Sequence, residues 1–194
     1  MQMSTPKTRW GILSTAEIAQ KNWKAILNSG NGIVSAVASR DLKRSRAFIG
    51  ACQSEAPFTQ APRPFGSYEA LLADSDMDAV YIPLPTGLRK EWVIRAAEAR
   101  KHIVSEKPCA SSLADLREMF DACRHHRVQF MDGVMFMHSG RLEKIRELLD
   151  DGSTIGRIKR ITSAFNFYGG EEFVAQNIRA HSVLEPYGSL GDLG

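Results

Sequence analysis

Residues 9–19 read RWGILSTAEIA, and this stretch decides the fold. Its apolar first half predicts a buried strand, and the small residues Ser14, Thr15 and Ala16 predict a tight turn. Apolar side chains then recur at helical spacing, at Ala19, Trp23, Ile26 and Leu27. After a stop at residues 29–32, the β-branched run at 33–38 predicts a second strand buried on both faces. The chain therefore opens with a β-α-β unit.

The same alternation continues to about residue 131. Asp41 is a cap for a helix that runs to about Cys52, and a loop containing Pro57, Pro62 and Pro64 follows. The remaining elements are a helix at Tyr68–Leu72, strand Ala79–Ile82, helix Leu88–Ala99, strand His102–Val104, a helix that Ser112 and Asp115 begin and that reaches Cys123, and strand Val128–Met131. This order predicts an α/β fold, a doubly wound parallel sheet with helices on both faces.

Beyond Gly133 the pattern changes, which predicts a second domain. A helix is expected at Arg141–Leu149, and the alternating residues Ile158–Phe167 predict a long strand of an antiparallel sheet with one packed face. We place the boundary near Arg127. Residues 1–127 then form a nucleotide-binding domain, and residues 128–194 form the start of an α+β, mainly antiparallel substrate-binding domain.

Composition excludes several classes of protein. The 194 residues are 43% hydrophobic and 24% charged with a net charge of +3, which is ordinary for a globular protein and argues against nucleic-acid binding. The basic run Arg124–Arg127 falls at a predicted helix end, where cations are favourable. Neither a signal peptide nor a membrane span is visible, so we expect a cytoplasmic location. Three unpaired cysteines, Cys52, Cys109 and Cys123, predict reduced thiols without a disulfide or a metal site.

Two features of the first β-α-β unit bear on a dinucleotide. Ser14, Ala16 and Ala19 occupy the positions of the three glycines that bring a backbone close to a pyrophosphate, although mere packing of a strand on a helix explains such residues equally well. At the end of the second strand, Arg40 with Arg44 favours the 2′-phosphate of NADP, whereas Asp41 leaves NAD as the alternative.

Five motifs together resemble the Gfo/Idh/MocA family of glucose-fructose oxidoreductase, inositol dehydrogenase and dihydrodiol dehydrogenase type. In chain order and spacing these motifs are WGILSTA at 10–16, ASRD at 38–41, YIPLP at 81–85, EKP at 106–108 and GSLGDLG at 188–194. The resemblance implies a nicotinamide-dependent oxidoreductase that moves a hydride to or from a hydroxyl-bearing carbon of a sugar, polyol or diol. In such relatives the chain continues well beyond this point, so the second domain here is partial.

The resemblance also implies roles for individual residues. Lys107 is the catalytic residue, which polarises a carbonyl or shares an alcohol proton, and Pro108 is a cis-proline beside it. Asp192 is the acidic member of a motif whose His or Tyr lies beyond Gly194. His138 contacts the substrate, together with the segment Met135–Met137. The cofactor-binding residues are Ser14, Thr15, Ala16, Glu17, Ile18, Ser39, Arg40, Arg44, Pro83, Leu84, Pro85, Leu88, Glu106 and Lys107.

Two residues depart from the pattern of the family. Thr86 and Arg89 stand where relatives often carry Asn and His, which alters the support of the nicotinamide edge. A catalytically silent nucleotide-binding protein and another nucleotide-binding enzyme, such as a methyltransferase, are the rival interpretations. If the chain is longer, relatives suggest a homodimer through the second domain.

Overall fold

The computed structural model describes residues 6–164, 168, 177 and 181–193. Within these residues, none of the helices has the length and apolarity that crossing a bilayer requires. Its elements are β1 (Thr8–Leu13), α1 (Ile18–Asn28), β2 (Gly32–Ala38), α2 (Leu42–Glu55), β3 (Arg63–Phe65), α3 (Tyr68–Leu72), β4 (Ala79–Ile82), α4 (Thr86–Glu98), β5 (His102–Ser105), α5 (Leu113–His126), β6 (Phe130–Asp132), a 3₁₀ helix (Met135–His138), α6 (Arg141–Asp150) and α7 (Gly188–Leu193).

The centre of the fold is a six-stranded sheet with the order β3-β2-β1-β4-β5-β6. Every adjacent pair of strands is parallel, so all carboxyl ends lie at one edge. The strand order reverses direction between β1 and β4, where ligands of open α/β sheets bind. The predicted doubly wound α/β fold is therefore confirmed.

Two hydrophobic layers cover the two faces of this sheet. On one face α1 and α2 enclose Trp23, whose ring meets those of Phe48 and Phe58 edge-on at centroid distances of 6.3 and 5.3 Å. On the other face α3, α4 and α5 bury Leu71, Val93 and Met119. Each such side chain contributes roughly 1.5–3 kcal/mol when it leaves water. The helices are thereby fixed to the sheet that carries the site.

Helix starts follow the sequence closely. The carboxylate of Asp41 accepts a 2.8 Å hydrogen bond from Lys43 N, and the hydroxyls of Ser67 and Ser112 cap α3 and α5 in the same way. The caps predicted at Asp41 and Ser112 are thus confirmed, each worth about 1 kcal/mol. α1, α4 and α6 differ, because the residue at the N-cap position of each makes no side-chain hydrogen bond to the helix.

Two regions depart from the predicted pattern. The proline-rich loop contains the short edge strand β3, which pairs with β2 and tolerates Pro64 because an edge strand can spare an amide. The strand expected at Ile158–Phe167 is absent from residues 158–164, and residues 165–167 lie outside the described part. Ile161 is 81% exposed. An alternating pattern becomes a strand only beside a partner strand, and no described residue pairs with this segment.

The boundary near Arg127 stays a prediction. Arg127 itself ends α5 in a left-handed conformation, as the basic run at a helix end suggested. The sheet continues past it to β6, which pairs with β5.

Candidate active site

The carboxyl edge of the sheet brings the predicted cofactor residues together. Ser14 follows β1, Ser39 follows β2, Pro83 follows β4 and Glu106 follows β5, and these four strands are neighbours. The other predicted cofactor residues lie on the same connections or on the first turn of the following helix. They are Thr15, Ala16, Glu17, Ile18, Arg40, Arg44, Leu84, Pro85, Leu88 and Lys107.

The turn after β1 has an unusual backbone. Ser14 has φ 144°, a value that favours glycine and strains a residue with a Cβ. Its Oγ accepts a hydrogen bond from Ala16 N at 3.1 Å, and Ala19 is fully buried one turn further. The small residues therefore fit the close approach that the glycine pattern requires. The N-terminus of α1, which follows this turn, has no side-chain cap, and an uncapped helix N-terminus favours an anion.

The end of β2 presents two arginines to the surface. Arg40 and Arg44 are exposed, whereas Ser39 is buried and its amide donates to the Phe65 carbonyl at 3.2 Å. Tyr68 lies near both arginines. Burial raises the pKa of Tyr68, and the charge of Arg40, a hydrogen bond with Ser14 and the charge of Arg44 oppose this.

Tyr68 was not among the predicted site residues. Its ring meets Trp92 edge-on at 4.9 Å. A tyrosine that begins a short helix directly after a capping serine was the available signal, because a buried phenol needs a polar neighbour.

Glu106 is the buried acceptor of the site. The Tyr81 hydroxyl donates to Glu106 Oε1 at 2.7 Å, and the Lys107 amide donates to Oε2 at 3.2 Å. Asn22 Nδ2 on α1 donates to the Tyr81 hydroxyl at 2.8 Å. Burial raises the pKa of Tyr81 far above its usual range, and Glu106 adds to the effect. The carboxylate of Glu106 therefore connects the backbone of Lys107 to Tyr81 on β4 and, through the Tyr81 hydroxyl, to α1.

The loop after β5 continues through Lys107 and Pro108. Lys107 is half-buried, and the peptide bond that precedes Pro108 is cis, as the family resemblance implied. Burial raises the pKa of the neighbouring Cys109 thiol to about 11. This thiol is therefore protonated near neutral pH and is a poor nucleophile.

Arg89 joins the loops that follow β4 and β5. Arg89 is 5% exposed, and its Nε donates to the Leu84 carbonyl at 2.6 Å. Nη1 donates to the Pro108 carbonyl and, at 3.1 Å, to Thr86 Oγ1. Burial lowers the pKa of Arg89, and the charge of Glu185 opposes this most strongly. Arg89, which stands where relatives often carry another residue, thus forms a buried cross-link between the loop after β4 and the loop after β5.

Glu185 is a second residue that sequence reasoning missed. It is 8% exposed, and its carboxylate accepts from Thr86 N at 3.1 Å and from Thr86 Oγ1 at 2.6 Å. The local sequence offers no signal for this contact, because Glu185 and Thr86 are far apart in the chain. Asp192 lies on α7, which begins shortly after Glu185, and its side chain is outside the described part of the structure.

His138 lies in the 3₁₀ helix that follows β6. Its side chain is exposed, as are those of Met135, Phe136 and Met137, with exposed fractions of 60–62% for the last three. This apolar segment follows the carboxyl end of β6. Contact between His138 and a substrate stays a prediction.

Strand order, an uncapped helix after β1 and two arginines after β2 define a Rossmann-type dinucleotide-binding domain. Comparison with known families gives the particular one. A family model described as "Oxidoreductase family, NAD-binding Rossmann fold" matches residues 8–134, and the chain belongs to this Gfo/Idh/MocA family. Membership sets aside the methyltransferase alternative.

Similar proteins include sugar and diol dehydrogenases. D-xylose 1-dehydrogenase (NADP(+)) 2 of Haloferax volcanii is 37% identical over 81% of this chain and 46% of its own length. Trans-1,2-dihydrobenzene-1,2-diol dehydrogenase of Xenopus laevis is 32% identical over 81% of this chain and 46% of its own. The chain thus spans about half the length of the curated relatives it matches.

Solved structures share the fold. The 3-ketoreductase KijD10 from Actinomadura kijaniata, crystallised in complex with NADP, superposes with a TM-score of 0.68 and 32% identity, covering 77% of this chain and 45% of that one.

Proposed function

We propose that the chain is the nucleotide-binding part of an NADP-preferring oxidoreductase that acts on a hydroxyl-bearing carbon of a sugar, polyol or diol. The observation that carries the proposal is the placement of Lys107 after β5, where its amide donates to the buried carboxylate of Glu106. This position lies at the carboxyl edge, one strand away from the loop after β4 and two strands away from the turn after β1. The names of the relatives support the substrate class, since they include a xylose dehydrogenase and a diol dehydrogenase.

The proposed chemistry divides between cofactor and protein. Bound NADP would supply the acceptor or donor of the hydride at its nicotinamide ring. In its amine form Lys107 would take up the proton of the substrate hydroxyl as the hydride leaves the carbon, and in its ammonium form it would donate a hydrogen bond to the carbonyl oxygen and return that proton in the reverse direction. Asp192 would be the second acidic group for that proton.

NADP preference rests on the residues that follow β2. The charges of Arg40 and Arg44 both act on the hydroxyl of Tyr68, so the two arginines lie near the same point. Together they form a basic surface for a 2′-phosphate. Asp41, the residue that would favour NAD, has its carboxylate engaged as the cap of α2. The cap leaves that carboxylate less available to a ribose hydroxyl, so NAD is the weaker alternative.

The remaining parts of the proposal concern the second domain. We expect it to begin near Arg127, to contribute His138 to the substrate pocket, and to mediate a homodimer in a longer chain. The cytoplasmic location remains a prediction.

The decisive experiment is a calorimetric titration with NADP and NAD side by side, followed by an assay of hydride transfer to sugars and diols. We expect tighter binding of NADP, and we expect Lys107→Ala to abolish transfer while NADP still binds. Lys144→Ala, which removes an exposed lysine of α6, is the matched control. Binding without transfer in the unaltered chain would favour the rival interpretation, a catalytically silent nucleotide-binding protein. Absence of binding to either cofactor would refute the proposal.

A further inference from the structure

We infer that Glu185 is a positioning residue, which anchors the segment 181–193 on the N-terminus of α4 and connects it, through Thr86 and Arg89, to the loop of Lys107. The catalytic part of this inference rests on the proposed function. The anchor itself rests on contacts among described residues and is tested separately.

The first contact is between a carboxylate and a helix start. Pro85 precedes α4 and offers no side chain that can cap it, so the Thr86 amide needs another acceptor. Glu185 supplies both of its oxygens, one to this amide and one to the Thr86 hydroxyl. A carboxylate at the N-terminus of a helix also interacts favourably with the helix dipole. The anchor is thus a cap that comes from a distant part of the chain.

The second contact is between backbones. Gly87 N donates to the Leu184 carbonyl at 2.9 Å. A Cβ at Gly87 would overlap the carbonyl oxygen of Val183, so only glycine admits the segment this closely. Because this contact does not involve the Glu185 side chain, it provides an independent way to disturb the anchor.

The third contact connects the anchor to the Lys107 loop. Thr86 Oγ1 donates to Glu185 and accepts from Arg89, and Arg89 donates to the Pro108 carbonyl. The buried carboxylate of Glu185 and the buried guanidinium of Arg89 are therefore both hydrogen-bonded to the hydroxyl of Thr86. Removing either charge would leave the other uncompensated in the interior, which is strongly unfavourable.

The fourth contact sets where α7 begins. Gly188 N donates to the Glu185 carbonyl at 3.0 Å, and Gly191 N donates to the Tyr187 carbonyl at 3.1 Å. The side chain of Glu185 is held on α4 while its backbone starts the turn that leads into α7. A displacement of Glu185 would therefore move α7 with it.

The anchor is tested by amide hydrogen exchange on the whole chain, with Glu185→Ala and with Gly87→Ala. We expect the Thr86 and Gly87 amides to exchange about tenfold faster or more in both variants, while amides of β4 keep their protection. Glu91→Ala, on the exposed side of α4, controls for the loss of a carboxylate. Gly50→Ala, a glycine of α2 with open space around it, controls for the added methyl group. Unchanged exchange at Thr86 and Gly87 in both anchor variants would overturn the inference.

The positioning role is tested by steady-state kinetics of hydride transfer. We expect Glu185→Ala to lower kcat by about tenfold while the KM for NADP changes by less than about twofold, and Glu185→Gln to recover part of the loss. Equal losses in Glu91→Ala, or a loss confined to KM, would contradict the role. If the unaltered chain binds NADP but transfers no hydride, the proposed function fails, and hydrogen exchange still decides the anchor. If Glu185→Ala does not fold, Gly87→Ala decides both tests.

Discussion

The Tyr81 hydroxyl and Glu106 Oε1 lie 2.7 Å apart in the interior, and this hydrogen bond ties the ends of β4 and β5 together at the site. Asn22 extends the connection to α1, the helix that follows the phosphate turn. The backbone of Lys107 is thus coupled to the helix on which a pyrophosphate would rest. A substitution that breaks this connection should therefore affect both the Lys107 loop and the N-terminal part of α1.

Tyr81→Phe tests this connection. We expect the free energy of unfolding to fall by about 1–3 kcal/mol, because a buried carboxylate loses a donor and Asn22 loses an acceptor. Urea denaturation measures the change, and NADP affinity should fall with it. Tyr168→Phe, which alters a side chain that is 94% exposed, should change neither quantity. Equal stability of the two variants would show that the hydrogen bond does not matter.

Ser14 offers a test of backbone strain. Because φ is 144° at this position, we expect Ser14→Gly to be more stable than Ser14→Ala by about 1 kcal/mol. Both variants lose the hydroxyl that accepts from Ala16, so their difference isolates the Cβ. Thermal unfolding measures it. The same exchange at a regular helical position, Ala51→Gly in α2, should have the opposite sign, with a loss of about 0.5–1 kcal/mol.

Arg40 should decide between the two cofactors. We expect Arg40→Ala to weaken NADP about tenfold or more, because a charge-assisted contact with phosphate contributes roughly 1.5–3 kcal/mol. Affinity for NAD should stay within about twofold, since NAD lacks the 2′-phosphate. Titration calorimetry with both cofactors measures this. Arg46→Ala, on an exposed part of α2, should leave both affinities unchanged, and a parallel loss of NADP and NAD in Arg40→Ala would argue against phosphate recognition.

The thiol of Cys109 should react slowly. Its pKa is raised from 9.0 to about 11 by burial, so at a given pH below 9 the thiolate fraction is about one hundredth of that in the unfolded chain. We expect labelling with a disulfide reagent at pH 8 to be slower than in urea by about tenfold or more, because the stronger nucleophilicity of the more basic thiolate offsets part of the smaller thiolate fraction. The rate should rise as the pH approaches the raised pKa. Fast labelling in the folded Cys52→Ala, Cys123→Ala background would show that the thiol is accessible as thiolate.

Most of the fold follows from local patterns in the chain. β4 and α3 have the predicted bounds, Ala79–Ile82 and Tyr68–Leu72, because a buried apolar run and a capped start each leave little freedom. β3 could not be predicted, since three residues containing a proline form a strand only when β2 lies alongside. The segment 158–164 shows the opposite case, because a strand was predicted there and none is present. Its alternating pattern is typical of a strand, but the described residues supply no neighbour with which it could pair.

The site divides in a similar way. Residues that follow strands, such as Arg40 and Lys107, could be placed because parallel strands all end at one edge. Tyr81 could have been inferred from its phenol in an otherwise apolar run, which implies a hidden polar partner. Glu185 could not, because its contact with Thr86 depends on how a distant segment returns to α4. A contact between residues so far apart in the chain leaves no recognisable pattern in a single sequence.

The amino edge of the sheet has a practical use, because in a fully parallel sheet it lies on the opposite side from the loops that follow the strands. The loop before β3 opens there, and Gln60 on it is exposed beside a shallow depression lined by Arg9, Ser35 and Arg63. A fluorophore or a surface tether attached at Gln60 would report on the molecule, or immobilise it, while leaving the opposite rim open to incoming ligands.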